Sequence, residues 1–132
     1  MTIQTIGVIG AGTMGNGIAQ VCAGAGYRVL MLDINDDALE RGLSALTRNL
    51  ERQVSKQTLS SAQAEAAIAR VQTSTDYSHL NVADIVVEAA TENLDLKLRI
   101  LKQIAQYVRP TCVIATNTSS LSITQLGASV DK

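Results

Sequence analysis

The sequence predicts an α/β fold, a doubly wound parallel sheet, and three observations carry that expectation. Short runs rich in β-branched residues alternate with stretches of helical apolar periodicity, the mark of βαβ units. The core has to be aliphatic. There is no Phe, no Trp and only three Tyr, while 46% of the 132 residues are hydrophobic, so Val, Ile, Leu and Ala carry the packing, which suits strands buried on both faces. Third, "IGVIGAGTMGNGIAQ", residues 6–20, sets a cluster of glycines directly behind an apolar run, as where a strand turns tightly into a helix.

Strands are expected at Thr5–Ile9, Arg28–Leu32, Arg70–Thr73, Ile85–Ala89 and Val113–Thr116, each with Gly, Asp or Pro nearby to end it. The first helix runs from about Met14 to Ala25 and stops at Gly26, a residue that accepts the left-handed conformation common after a helix C-terminus. Nearly forty residues separate the second and third strands, more than one crossover helix needs. Leu39, Leu43, Leu46, Leu50 and Val54 recur at steps of four and three, one face of a long helix, with Asp36 and Asp37 favourably placed at its N-terminal end. Ser60 or Ser61 then caps a second, Ala-rich helix reaching about Ala69, so the crossover is a helical hairpin. The helix after the fourth strand starts at Asn93, presents Leu94, Leu98, Leu101, Ala105 and Val108 to the core, and stops before Pro110. No repeat, low-complexity tract or linker interrupts residues 1–132, which read as one domain.

Several classes of function are disfavoured. Eleven Lys and Arg against twelve Asp and Glu, with no basic run, give no long-range field for a polyanion, so nucleic acid and anionic membrane surfaces are not expected partners. The N-terminal apolar stretch is too short and too rich in Gly to span a bilayer and has no signal-peptide flanks, so the protein is read as cytoplasmic. Cys22 and Cys112 lack metal-type spacing and lie among apolar residues, which reads as buried free thiols and no metal site. His79, the single histidine, lies in a polar turn before the fourth strand, so it is placed near the amino end of the sheet as a solvated loop residue. No nucleophile elbow or partnered Cys is visible.

Gly10-Ala11-Gly12-Thr13-Met14-Gly15 fits the pattern GxGxxG, which alone is weak but here follows a strand and opens a helix. Asp33 stands 23 residues after Gly10 at the end of the next strand, completing the fingerprint of a Rossmann-type dinucleotide site. The three glycines serve different ends. Gly10 permits the tight turn, Gly12 removes a Cβ that would block a pyrophosphate, and Gly15 lets the helix lie close on the sheet. Free N–H groups at the helix N-terminus then face the phosphates. Asp33 can accept both ribose hydroxyls but repels a 2′-phosphate, and no Arg follows in Ile34-Asn35, so NAD is expected over NADP. A second polar stretch, Asn117-Thr118-Ser119-Ser120-Leu121-Ser122, lies just past the fifth strand, where side chains can reach the ligand crevice. Ser122 and Gln125 could instead form a capping box, and spacing leaves both readings open.

"IGVIGAGTMGNGIAQ", "ADIVVEAATENLDLK" (residues 83–97) and "ATNTSSLSIT" (residues 115–124), in this order, resemble the NAD-binding domain of the 3-hydroxyacyl-CoA dehydrogenases over about residues 3 to 126. The helical hairpin inserted after the second strand is also a feature of that family. The resemblance implies oxidation of an L-3-hydroxyacyl-CoA to the 3-ketoacyl-CoA with hydride transfer to NAD, as in β-oxidation. By position it implies NAD contacts along Gly10 to Gly15, at Asp33, and at Ala89 and Ala90 behind the fourth strand. It places Glu92 and Lys97 near the nicotinamide end, Ser119 on the substrate oxygen, Asn117 beside it in the active site, both also touching the cofactor, and Lys56 on CoA. Glu92 and Lys97 could also be ordinary charges near a helix start. The family's general base is a downstream histidine oriented by a glutamate, and neither lies within residues 1–132; nor does the helical, dimer-forming C-terminal domain. The chain therefore reads as the N-terminal portion of a longer, homodimeric enzyme and is expected to be inactive alone. The alternative is a non-catalytic NAD-binding or structural protein of the same fold, and the reading frame after Lys132 separates the two.

Overall fold

A computed structural model of the chain describes residues 3–91 and 93–116. β1 (Thr5–Ile9) leads into α1 (Thr13–Gly24), and β2 (Arg28–Leu32) into the hairpin of α2 (Asp36–Ser55) and α3 (Ser61–Ala69). β3 (Val71–Ser74) is followed by a 3₁₀ helix (Tyr77–Val82), β4 (Ile85–Glu88) by α4 (Leu94–Tyr107), and β5 (Val113–Thr116) completes the sheet. All four pairings are parallel, in the order β3-β2-β1-β4-β5. Chain order thus reverses between β1 and β4, and in such a sheet ligands bind at the carboxyl ends beside that reversal. The register puts Ser74, Leu32, Ile9, Glu88 and Thr116 in one row there, the rim of the site.

Both faces of the sheet are covered, which is why its strands read as continuous apolar runs. Val8 and Met31 pack with Ala19, Leu46, Leu50 and Ala67 under α1, α2 and α3. Their neighbours Ile9 and Leu32 point the other way, onto Leu80, Val86, Leu101 and Ile104 under the 3₁₀ helix and α4. Cys22 and Cys112 are free and flank opposite clusters, and burial pushes both thiols up from their ordinary range.

Local chemistry fixes the helix starts. Asn35 accepts the N–H groups of Asp37 and Ala38, Ser60 and Gln63 form a capping box, and Asn93 accepts the N–H of Leu96. α2 buries Leu39, Leu46 and Leu50, with Leu43 and Val54 packed beside them. Two strands are one residue off the expectation. Arg70 belongs to the end of α3, where its guanidinium donates to the carbonyl of Ala23 at the end of α1, so β3 starts at Val71. β4 ends at Glu88, because the next residues turn back to satisfy its carboxylate. The buried face of α4 is also rotated: Lys97, Ile100, Leu101 and Ile104 face inward, while Leu94, Leu98, Ala105 and Val108 are only partly covered. A search for apolar periodicity skips Lys97 and shifts the whole stripe.

At the amino end of the sheet Asp84 ties three segments together. Its carboxylate accepts the N–H groups of Gln4 and Thr5 at 2.9 and 3.0 Å and the Arg109 guanidinium at 2.7 Å. These donors, the two backbone amides first, hold its carboxyl below the usual 3.8, at about 2. A depressed carboxyl stabilises the fold fully above its unfolded pKa, so this contribution is complete above 3.8 and is lost as the pH falls through about 2. The thermal midpoint is expected to drop across that window. Asp84→Asn should flatten the drop, and a variant with an unchanged acid slope would exclude Asp84 as its source.

Candidate functional site

The turn after β1 is built from three glycines with three different constraints. Gly10 has φ +109, and a Cβ there would come 2.9 Å from the Cα of Ala90 and 3.0 Å from the carbonyl oxygen of Ala89. A Cβ on Gly15 would overlap the carbonyl of Gly10 itself, with Val8 Cγ1 at 3.5 Å, so the helix presses on the turn more than on the sheet. Gly12 differs from both: φ −71 and ψ −168 suit any residue, and a Cβ there meets nothing within 4 Å. The missing side chain therefore serves no packing within the described residues. It leaves open space over the first turn of α1, a helix whose start, unlike those of α2, α3 and α4, has no side-chain cap.

Asp33, just past β2, is tied to this turn. Its Oδ2 accepts the N–H of Ala11 at 3.0 Å and its Oδ1 the N–H of Ile34 at 2.7 Å. Each carboxylate oxygen keeps lone-pair capacity for another donor. The half-buried Tyr77 lies close enough that burial first, then the Asp33 and Glu88 carboxylates, push its phenol up. Two supporting residues escaped the sequence reading. Gly42 brings α2 onto the turn, since a Cβ there would lie 2.7 Å from the carbonyl oxygen of Ala11, and buried Asn16 donates to the Gly42 carbonyl. The available signal was the glycine itself, which inside a helix costs about 0.5–1 kcal/mol relative to Ala and so requires a reason.

On the other side of the turn, Glu88 ends β4 and forms a buried ion pair with Lys97, which Thr116 joins through its hydroxyl. Lys97 is thus brought to the carboxyl rim, but with its ammonium on Glu88 and Thr116. Ala89 and Ala90 line the turn against Gly10. Lys56 lies apart, at the far end of α2, a helix spanning about 30 Å, beside a shallow cleft of about 210 Å³ shared with Gln20, Asn49, Arg52 and Gln53. Glu92, Asn117 and Ser119 lie outside the described residues. His79 contradicts its expected place near the amino end: its Nδ1 is 2.7 Å from Ser74 Oγ, at the carboxyl end of β3. The 3₁₀ helix starts almost directly after β3, so its first residues stay at that end before the chain crosses to β4.

The family model described as 3-hydroxyacyl-CoA dehydrogenase, NAD binding domain, matches residues 5–132. The chain belongs to this family. A 3-hydroxybutyryl-CoA dehydrogenase of Bradyrhizobium diazoefficiens is 38% identical over 130 residues, 98% of this chain and 44% of that protein. A 3-hydroxyadipyl-CoA dehydrogenase of Escherichia coli is 39% identical over 98% of this chain and 27% of its own length. The crystal structure of an (S)-3-hydroxybutyryl-CoA dehydrogenase from Ralstonia eutropha superimposes with a TM-score of 0.96 at 50% identity, covering 98% of this chain and 46% of that one. The chain therefore spans less than half the length of these relatives.

As a 3-hydroxyacyl-CoA dehydrogenase NAD-binding domain, the chain takes NAD as its cofactor, and its geometry fits one. The space at Gly12 admits a pyrophosphate against the uncapped start of α1, and Asp33 stands one residue contact away with acceptors for a ribose diol. Among the described residues no helix is long and apolar enough to cross a membrane.

Proposed function

We propose that the chain binds NAD across the carboxyl rim of β1 and β4 and forms the cofactor half of an enzyme that oxidises a 3-hydroxyacyl-CoA to the 3-ketoacyl-CoA. The observation that carries this reading is Gly12, a glycine that neither its backbone conformation nor its neighbours require. The first-turn amides of α1 hold the pyrophosphate, Asp33 accepts the ribose hydroxyls, and the Ala89–Ala90 backbone closes the opposite wall. Bound NAD supplies the hydride acceptor for C3 of the substrate. Ser119 is assigned to the substrate's C3 oxygen and Asn117 to a place beside it; Thr116, which directly precedes Asn117 in the chain, ends β5 on the crevice side of the sheet, and this supports the assignment. Glu92 is assigned to the nicotinamide end and Lys56 to CoA. A cytoplasmic location is supported by the two free cysteines, which fit a reducing compartment, and the homodimer implied for the complete enzyme belongs to the same reading.

The test is saturable enhancement of NADH fluorescence, which the absence of Trp leaves free of tryptophan background. No binding would overturn the reading. Asp33→Ala is expected to weaken NADH binding by about 1–3 kcal/mol, the scale of polar partners left unmatched, and to affect NADPH far less. Equal losses for the two would reduce Asp33 to its structural bond with Ala11.

A further inference from the structure

We infer that Glu88 is a positioning residue for the cofactor: its buried carboxylate fixes the 89–91 backbone that walls the NAD crevice, with Lys97 as counter-ion acting through Glu88. The inference rests on the NAD-binding reading above. Glu88 and Lys97 are both 0% exposed, which is costly for charged groups unless every lone pair and proton finds a partner. Here they do. Oε2 accepts the N–H of Ala90 at 2.8 Å and of Thr91 at 3.3 Å, while Oε1 takes the Lys97 ammonium and the Thr116 hydroxyl, the latter at 3.0 Å. Lys97 also donates to Thr116 Oγ1 at 3.2 Å.

Stability alone does not call for this arrangement, because well-packed apolar residues commonly replace a buried ion pair without loss. What an apolar pair cannot do is hold two loop amides. Those amides matter because the loop bears directly on the phosphate turn, as the 2.9 Å approach of Ala90 Cα to a Cβ on Gly10 shows. A carboxylate thus grips each side of the turn: Asp33 holds Ala11, and Glu88 holds Ala90. Lys97, in the first turns of α4, and Thr116, at the end of β5, anchor the second grip to the rest of the rim.

Two double variants of the full 132-residue chain decide it, since each keeps the buried charge balanced. Glu88→Gln/Lys97→Met retains a side-chain oxygen for Ala90 and Thr91; Glu88→Leu/Lys97→Met fills the space with none. The leucine variant is expected to fold with a similar melt, to exchange the Ala90 and Thr91 amide hydrogens faster, and to bind NADH about tenfold more weakly, the scale of one or two lost hydrogen bonds. The glutamine variant is expected to restore slow exchange and to bind NADH several-fold more tightly than the leucine variant, Lys97→Met being common to both. Equal loss of affinity in both variants would overturn the inference and make Lys97 a direct cofactor ligand. A folded leucine variant with unchanged exchange would overturn it as well. If the melt collapses, amide exchange in Glu88→Gln/Lys97→Met alone decides, protection at Ala90 and Thr91 supporting the grip and its loss refuting it. Exchange is read without ligand, so an original chain that fails to bind NADH would defeat the NAD reading while still testing the grip.

Discussion

Gly12→Val is expected to abolish NADH binding while the chain still folds. Val is a poor residue at a helix N-cap, so a loss of about 1 kcal/mol, or a midpoint lowered by roughly 4 °C, is the most the fold should show. Among the described residues no atom beyond the chain neighbours of Gly12 lies within 4 Å of the new Cβ, and φ −71 is open to any residue. The branched side chain instead occupies the space over the first turn of α1, where phosphate oxygens would have to approach the amides. A circular dichroism melt beside an NADH titration separates the two effects. If Gly12→Val unfolds the domain, the glycine is there for packing, and the principal support for the dinucleotide reading is gone.

Gly15→Ala should give the opposite signature. Three positions away in the same motif, a single methyl would overlap the Gly10 carbonyl, whose residue is itself held by the hydrogen bond that the Gly10 N–H donates to the Leu32 carbonyl and by the Ala89–Ala90 wall. A carbonyl held in this way leaves little room to relax, so a cost of about 3 kcal/mol or more is expected, lowering the midpoint by roughly 11 °C or more, with NADH binding lost alongside. The sign is diagnostic. In an exposed helix the same change would stabilise by up to about 1 kcal/mol through helix propensity. A Gly15→Ala chain that melts at or above the original temperature would show that the contact with Gly10 does not constrain the turn.

Much of the cofactor side was legible in the sequence because it rests on local requirements. A parallel sheet buried on both faces needs continuous aliphatic runs, a long amphipathic helix needs leucines at steps of three and four, and the turn after β1 needs glycines. Each leaves a mark within a few residues. For the same reason the hairpin after β2, the cap at Ser60 or Ser61, the helix start at Asn93, and the motif from Gly10 to Gly15 with Asp33 stand out along the chain.

By itself, then, the sequence determined the α/β sheet, its helical hairpin and the dinucleotide motif, together with the resemblance that the family match bears out. Only the tertiary structure decided what each residue of the motif touches. It distinguished Gly12, whose Cβ position no described residue beyond its chain neighbours approaches, from Gly15, which the turn itself confines, although both are the same letter in one pattern. It turned α4 so that Lys97 faces inward, set Gly42 of α2 on the phosphate turn, and brought His79 to the carboxyl end of β3. The physical reason is range: periodicity and turn chemistry act between neighbours along the chain. The burial of a charge is settled by its partners, and those of Lys97 come from two different strands, Glu88 nine residues before it and Thr116 nineteen after.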